Sequence, residues 1–98
     1  MKENFIGNMK SVSELLKVLS NENRLMIVCY LLSSAMTVSE LHNKISNLTQ
    51  SAISQHLSIL KAHKILDSQK NGQSITYFIH DQRIKDVIQV LKKNYCDL

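Results

Sequence analysis

The segment Leu48-Thr49-Gln50-Ser51-Ala52-Ile53-Ser54-Gln55-His56-Leu57-Ser58-Ile59-Leu60 sets short hydrogen-bonding side chains at helical spacing. At roughly 100° per residue, Ile53, Leu57 and Leu60 share one apolar stripe suited to a core. Ser51, Ser54, Gln55 and Ser58 fall on the opposite side, with Gln50 at the N-terminal tip. An ordinary solvated helix face would carry Lys and Glu in i,i+4 pairs. Hydroxyls and amides instead offer the donors and acceptors that read base edges and phosphates in a major groove. A second chemistry is available from Cys29 and Cys96, the only two cysteines. Two thiols cannot form a disulfide framework, and no Cys-x-x-Cys is present, so they are expected to be reduced in a cytoplasmic protein. No Ser/His/Asp constellation, paired-carboxylate site or phosphate-cradling glycine loop is visible, so an enzyme is not expected.

Positioning that polar face takes a small scaffold. The chain has 98 residues, 44% of them hydrophobic, which fits a single domain over 1–98. Its formal net charge of +4 favours a polyanionic partner. The longest apolar run, residues 25–32, is far too short for a membrane span, and the first eight residues have no signal-peptide core. Residues 1–9 are expected as a loose arm. Val12, Leu15, Leu16 and Leu19 form a first helical stripe. A second helix over about residues 21–33 is apolar almost all round, the pattern of a buried central helix. Thr37-Val38-Ser39-Glu40 fits a capping box that opens a third helix carrying Leu41 and Ile45. A brief turn then leads to the Gln/Ser helix, with Thr49 as its N-cap, and the pair makes a helix-turn-helix.

After Lys64 the period becomes alternating, and Asn71-Gly72 is a strong hairpin signal. A two-residue Asn71-Gly72 turn would set Lys70 opposite Gln73 and Leu66 opposite Tyr77. A hairpin directly after a recognition helix is a wing, and Lys70 beside its tip is a candidate phosphate contact. A last helix after Asp81 carries Ile84, Val87, Ile88, Leu91 and Tyr95. The expected fold is mainly α with a small β-hairpin, a winged helix-turn-helix. Its first and last helices have spare apolar stripes that an isologous two-fold contact would bury, presenting two reading helices to a pseudo-palindromic site in double-stranded DNA.

The segments Leu19-Ser20-Asn21-Glu22-Asn23-Arg24-Leu25, Ser39-Glu40-Leu41 and Gln50-Ser51-Ala52-Ile53-Ser54-Gln55-His56-Leu57 resemble corresponding parts of the ArsR/SmtB family of bacterial winged-helix repressors. The resemblance covers essentially residues 10–96. It implies a homodimer that represses transcription until an inducer weakens its hold on DNA, with Gln50, Ser51, Ser54, Gln55 and His56 as base and phosphate contacts. The family's metal sites are poorly matched. The place of a third-helix Cys-x-Cys reads His42-Asn43-Lys44, and the last helix ends in Lys92-Lys93-Asn94 although His80 and Asp81 stand near its start. No metal and no cofactor are therefore expected. The cysteine positions resemble the branch that senses reactive sulfur or oxidants, in which a second-helix and a last-helix cysteine are joined on oxidation. Cys29 and Cys96 are then the redox switch, and the inducer a persulfide, polysulfide or oxidant. The alternatives are a metal-responsive or constitutive regulator with idle cysteines and, in another class, a winged-helix module that binds protein. A charge-free polar face without aromatics or Met suits a DNA groove better than a protein interface.

Overall fold

A computed structural model describes residues 3–96. In chain order the elements are α1 (Glu3–Leu19), α2 (Glu22–Leu31), β1 (Met36–Thr37), α3 (Val38–Lys44), α4 (Gln50–Ala62), β2 (Leu66–Asn71), β3 (Ser74–Ile79) and α5 (Gln82–Tyr95). Four of the five helices open on a side-chain cap that satisfies free first-turn N–H groups. Asn21 Oδ1 accepts from the N–H of Asn23 and Arg24 at 3.0 and 3.1 Å. The capping box forms: Glu40 N–H donates to Thr37 Oγ1 at 3.2 Å, and Thr37 N–H donates to Glu40 Oε1 at 2.9 Å. Ala52 N–H donates to Thr49 Oγ1 at 3.0 Å. Asp81 caps α5 by accepting from Arg83 N–H at 2.9 Å. The Arg83 guanidinium bonded to the same carboxylate holds the Asp81 pKa below the usual range.

The apolar α2 is central, touching α1, α4, α5 and β3. Its Ile27, Val28 and Leu31 join Leu41, Ile45, Ile53, Leu57, Leu60, Ile65, Leu66, Ile84 and Ile88 in one contiguous buried cluster. Arg24 reinforces this joint, its Nε donating to Val18 O at 2.6 Å and so tying α2 to the end of α1.

Three features differ from the sequence expectation. Residues 3–9 are helical rather than a loose arm, and Met1 and Lys2 lie outside the described residues. Phe5, Met9, Val12 and Leu16 follow i, i+4, i+7, i+11 spacing, so the helical pattern of α1 continues back through the supposed arm. Next, the sheet has three strands in the order β1-β3-β2 instead of a bare hairpin. In β1, Met36 pairs with Tyr77 and Thr37 with Thr76; two residues are too few to show a period. Finally, the hairpin loop is Gly72-Gln73, with Asn71 opposite Ser74, Lys70 opposite Ile75 and Leu66 opposite Ile79. Gly72 has φ +62° and is the only residue of the loop with positive φ, matching a turn that needs glycine at its first central position. Moving the turn by one residue slides the partner by two, so every side chain keeps its face of the sheet.

The end of α4 fixes where the wing begins. Ile65 N–H donates to Leu60 O at 3.1 Å and Lys64 N–H to Lys61 O at 2.9 Å, the two bonds of a Schellman motif. Leu60 and Ile65 are both fully buried and complete its hydrophobic contact. Lys64 sits at the left-handed position with φ 61°, where glycine is the usual residue. Lys64→Gly should therefore stabilise the protein by about 0.5–1 kcal/mol. Urea unfolding should show a higher midpoint with an unchanged slope, and a lower midpoint would refute the strain.

Candidate nucleic-acid interface

Helix α4 is held from behind and bare in front. Ile53, Leu57 and Leu60 have no solvent exposure and face α2, α3 and β2. On the other side, Ser51, Ser54, Gln55 and Ser58 line a shallow surface groove together with Ile59. Gln50, Ser51, Gln55 and Ser58 are exposed and Ser54 is half-buried at the groove wall. Helix α4 has no acidic residue, so its N-terminal N–H groups and positive dipole end meet an approaching phosphate without repulsion. Ile59, 40% exposed, is an apolar side chain of this groove that sequence reasoning did not single out. Its angle on the helix lies off the Ile53–Leu57–Leu60 stripe, which is the signal that could have found it.

His56 lies apart from that groove. It is half-buried, and Nδ1 is shielded from solvent without a hydrogen-bond partner. Burial lowers its pKa, and the nearby positive charge of Arg24 lowers it further, so the neutral ring is favoured. Arg24 of α2 is therefore near enough to His56 of α4 to act on it electrostatically.

Lys70 is exposed on β2 near the wing tip. At the wing base, Lys61 Nζ donates to Ser68 Oγ at 2.7 Å, linking the end of α4 to β2. The structure thus gathers Ser51, Ser54 and Gln55 into one groove, carries Gln50 at the helix start, and leaves His56 on another face of the same helix and Lys70 on β2.

The cysteines belong to another joint, that of α2 with α5. Cys29 is half-buried on α2 and opens onto a groove shared with α5, lined also by Tyr30, Leu32, Ser33, Gln89, Lys92 and Lys93. Cys96 is exposed as the C-cap of α5, its N–H donating to Lys92 O at 2.9 Å. Burial pushes the Cys29 thiol pKa up, negative charge on Cys96 pushes it further, and Lys92 opposes both. Cys96 and Lys92 are therefore near enough to act electrostatically on Cys29. Among the described residues, no three His, Cys, Asp or Glu side chains gather as a metal site.

The outer faces of α1 and α5 are apolar. The stripe of α1 divides, Leu19 entering the core while Val12 and Leu16 stay 41% and 55% exposed. Helix α5 divides likewise: Ile84 and Ile88 are buried, whereas Val87, Val90, Leu91 and Tyr95 are 46%, 59%, 42% and 80% exposed.

A helix-turn-helix whose second helix runs into an antiparallel wing defines a winged-helix DNA-binding protein. The family model described as "Bacterial regulatory protein, arsR family" matches residues 21–68. Transcriptional activator HlyU of Vibrio cholerae is 38% identical over 82 residues, 84% of this chain and 75% of its own length. HTH-type transcriptional regulator YgaV of Escherichia coli K12 is 36% identical over 87 residues, 89% of this chain and 88% of its own. The biofilm growth-associated repressor of Xylella fastidiosa is 30% identical over 95 residues, 97% of this chain and 82% of its own. The solved structure described as reduced HlyU from Vibrio cholerae superposes with a TM-score of 0.89 at 33% identity, covering 98% of this chain and 100% of that one. The chain belongs to the ArsR family of bacterial regulators: it is a DNA-binding transcriptional regulator, not an enzyme. Among the described residues, no helix is long and apolar enough to cross a membrane.

The two kinds of DNA contact are separable by mutation. Gln55→Ala or Ser54→Ala should weaken specific binding by about 1–3 kcal/mol and relax preference at one operator position. Lys70→Ala should weaken specific and non-specific DNA alike, and reduce the salt dependence by about one phosphate contact. Fluorescence anisotropy across a salt series distinguishes them, and a Lys70→Ala effect confined to one base position would overturn the division.

Proposed function

We propose that the chain is a homodimeric repressor that binds a pseudo-palindromic operator and is released by oxidation or persulfidation of Cys29 and Cys96. Gln50, Ser51, Ser54 and Gln55 read base edges and phosphates, Ile59 adds apolar contact, and Lys70 attracts the backbone from the wing. His56 contributes from the flank, by a phosphate contact or by holding α4 against α2. Repression is favoured by analogy with the Xylella relative, a repressor by name; the Vibrio relative is an activator by name.

The observation that carries the switch is the α2–α5 joint. Cys29 belongs to the helix that backs α4, and Cys96 ends the helix whose outer face is apolar. A covalent link across this joint would fix the angle between the reading head and the dimer axis. Operator half-sites are about 34–36 Å apart, so a small change of angle affects both recognition helices together. A direct disulfide needs Cα atoms within about 7 Å, and a bridge with inserted sulfur tolerates a wider gap. A relative described in its reduced form lends support to redox control. Free thiols also suit the cytoplasm, where they are kept reduced.

The dimer rests on the exposed apolar residues of α1 and α5, which a two-fold contact would remove from water. Leu91→Glu should give monomer or aggregate with weakened operator binding by light scattering and anisotropy; a monomeric unmodified protein at micromolar concentration would defeat the dimer. For the switch, persulfide treatment should lower operator affinity of the parent and leave Cys29→Ser and Cys96→Ser unaffected. Mutants that respond like the parent would reduce both cysteines to packing residues.

A further inference from the structure

We infer that the α2–α5 groove selects anionic sulfur donors, with Lys92 and Lys93 forming a cationic cradle that delivers a carboxylate-bearing persulfide to Cys29. This rests on the thiol-switch reading above and specifies its substrate class. Three observations support it. The groove that exposes Cys29 is open to solvent on a folded surface, so a small molecule can reach the thiol. Its α5 wall carries two adjacent lysines, and none of its lining residues is acidic among the described residues. The hydroxyl of Tyr30 and the amide of Gln89 are hydrogen-bonding groups suited to a carboxylate or amide of the donor, while the Ser33 hydroxyl donates to Tyr30 O at 3.0 Å. A cleft lined by one sign of charge concentrates ligands of the other sign and raises their encounter rate. Hydrogen peroxide is neutral and lacks a headgroup, so the cradle gives it no such advantage.

The chemistry is a sulfane-sulfur transfer. The Cys29 thiolate attacks the outer sulfur of R–S–SH, the donor S–S bond breaks, and Cys29–S–SH forms. The leaving R–S⁻ takes up the proton that Cys29 released, so the Cys29 sulfur is oxidised and the donor reduced. The Cys96 thiolate then attacks the inner sulfur of Cys29–S–SH, giving the Cys29–Cys96 disulfide and expelling HS⁻. Burial raises the Cys29 pKa and Lys92 opposes the rise, so the cradle also favours the attacking thiolate.

The test compares N-acetylcysteine persulfide with its methyl ester, which lacks the carboxylate charge, on the reduced full chain. Modification of each cysteine is followed by quenched-flow alkylation and mass spectrometry. The parent should react about tenfold faster with the acid than with the ester at low ionic strength. That preference should fall to within about twofold at 0.5 M salt, where the Debye length is only about 4 Å. It should vanish in the double variant Lys92→Gln/Lys93→Gln, and Lys93→Glu should favour the ester. No preference in the parent, or an undiminished one in the double variant, overturns the cradle while leaving the switch intact. Failure of both donors to modify either cysteine would remove the switch and the cradle together.

Discussion

Burial of α2 is the constraint on which the rest of the molecule depends. A helix that is apolar on nearly every side must be covered on nearly every side. Here α1, α4, α5 and β3 do so. Helix α4 can then display a face of Ser and Gln, because its opposite stripe is sealed against this centre. Losing one of those buried Leu or Ile side chains to Ala would cost about 2–5 kcal/mol, a large part of a small domain's total of about 5–15 kcal/mol. The exposed positions carry no such penalty. Reading chemistry can therefore change on α4 while the helix stays in place.

The same centre makes communication through the fold possible. Helix α2 touches the reading helix on one side and α5 on another, and Arg24 fixes its start to the end of α1. Arg24 also bears electrostatically on His56, whose Nδ1 has no partner. His56 is thus half-buried on α4 without a hydrogen bond at Nδ1, unlike the dry stripe beneath it. Helix α2 also carries Cys29.

Much of the local structure was legible because its causes are local. Thr37 and Thr49, the caps read from the sequence, act within three residues of themselves. Ile53, Leu57 and Leu60 repeat within two turns, and Asn71-Gly72 marked the hairpin to within one residue. The missed features have causes outside such a window. Strand β1 exists only because β3, some forty residues later in the chain, offers Met36 and Thr37 an edge. The turn settled on Gly72-Gln73 once the glycine occupied the one position needing positive φ.

The sequence by itself determined a winged helix-turn-helix and a hydrogen-bonding face on α4, since periodicity and caps are properties of neighbouring residues. Only the tertiary structure decided which apolar residues of α1 and α5 stay outside, because one stripe divides between a core and a surface according to what packs on it. It also decided that His56 is half-buried, with Nδ1 shielded and Arg24 close enough to act on it electrostatically. The electrostatic reach between Cys29 and Cys96, sixty-seven residues apart in the chain, follows from α5 packing back on α2. That packing is a long-range burial event, and nothing within a few residues of either cysteine encodes it.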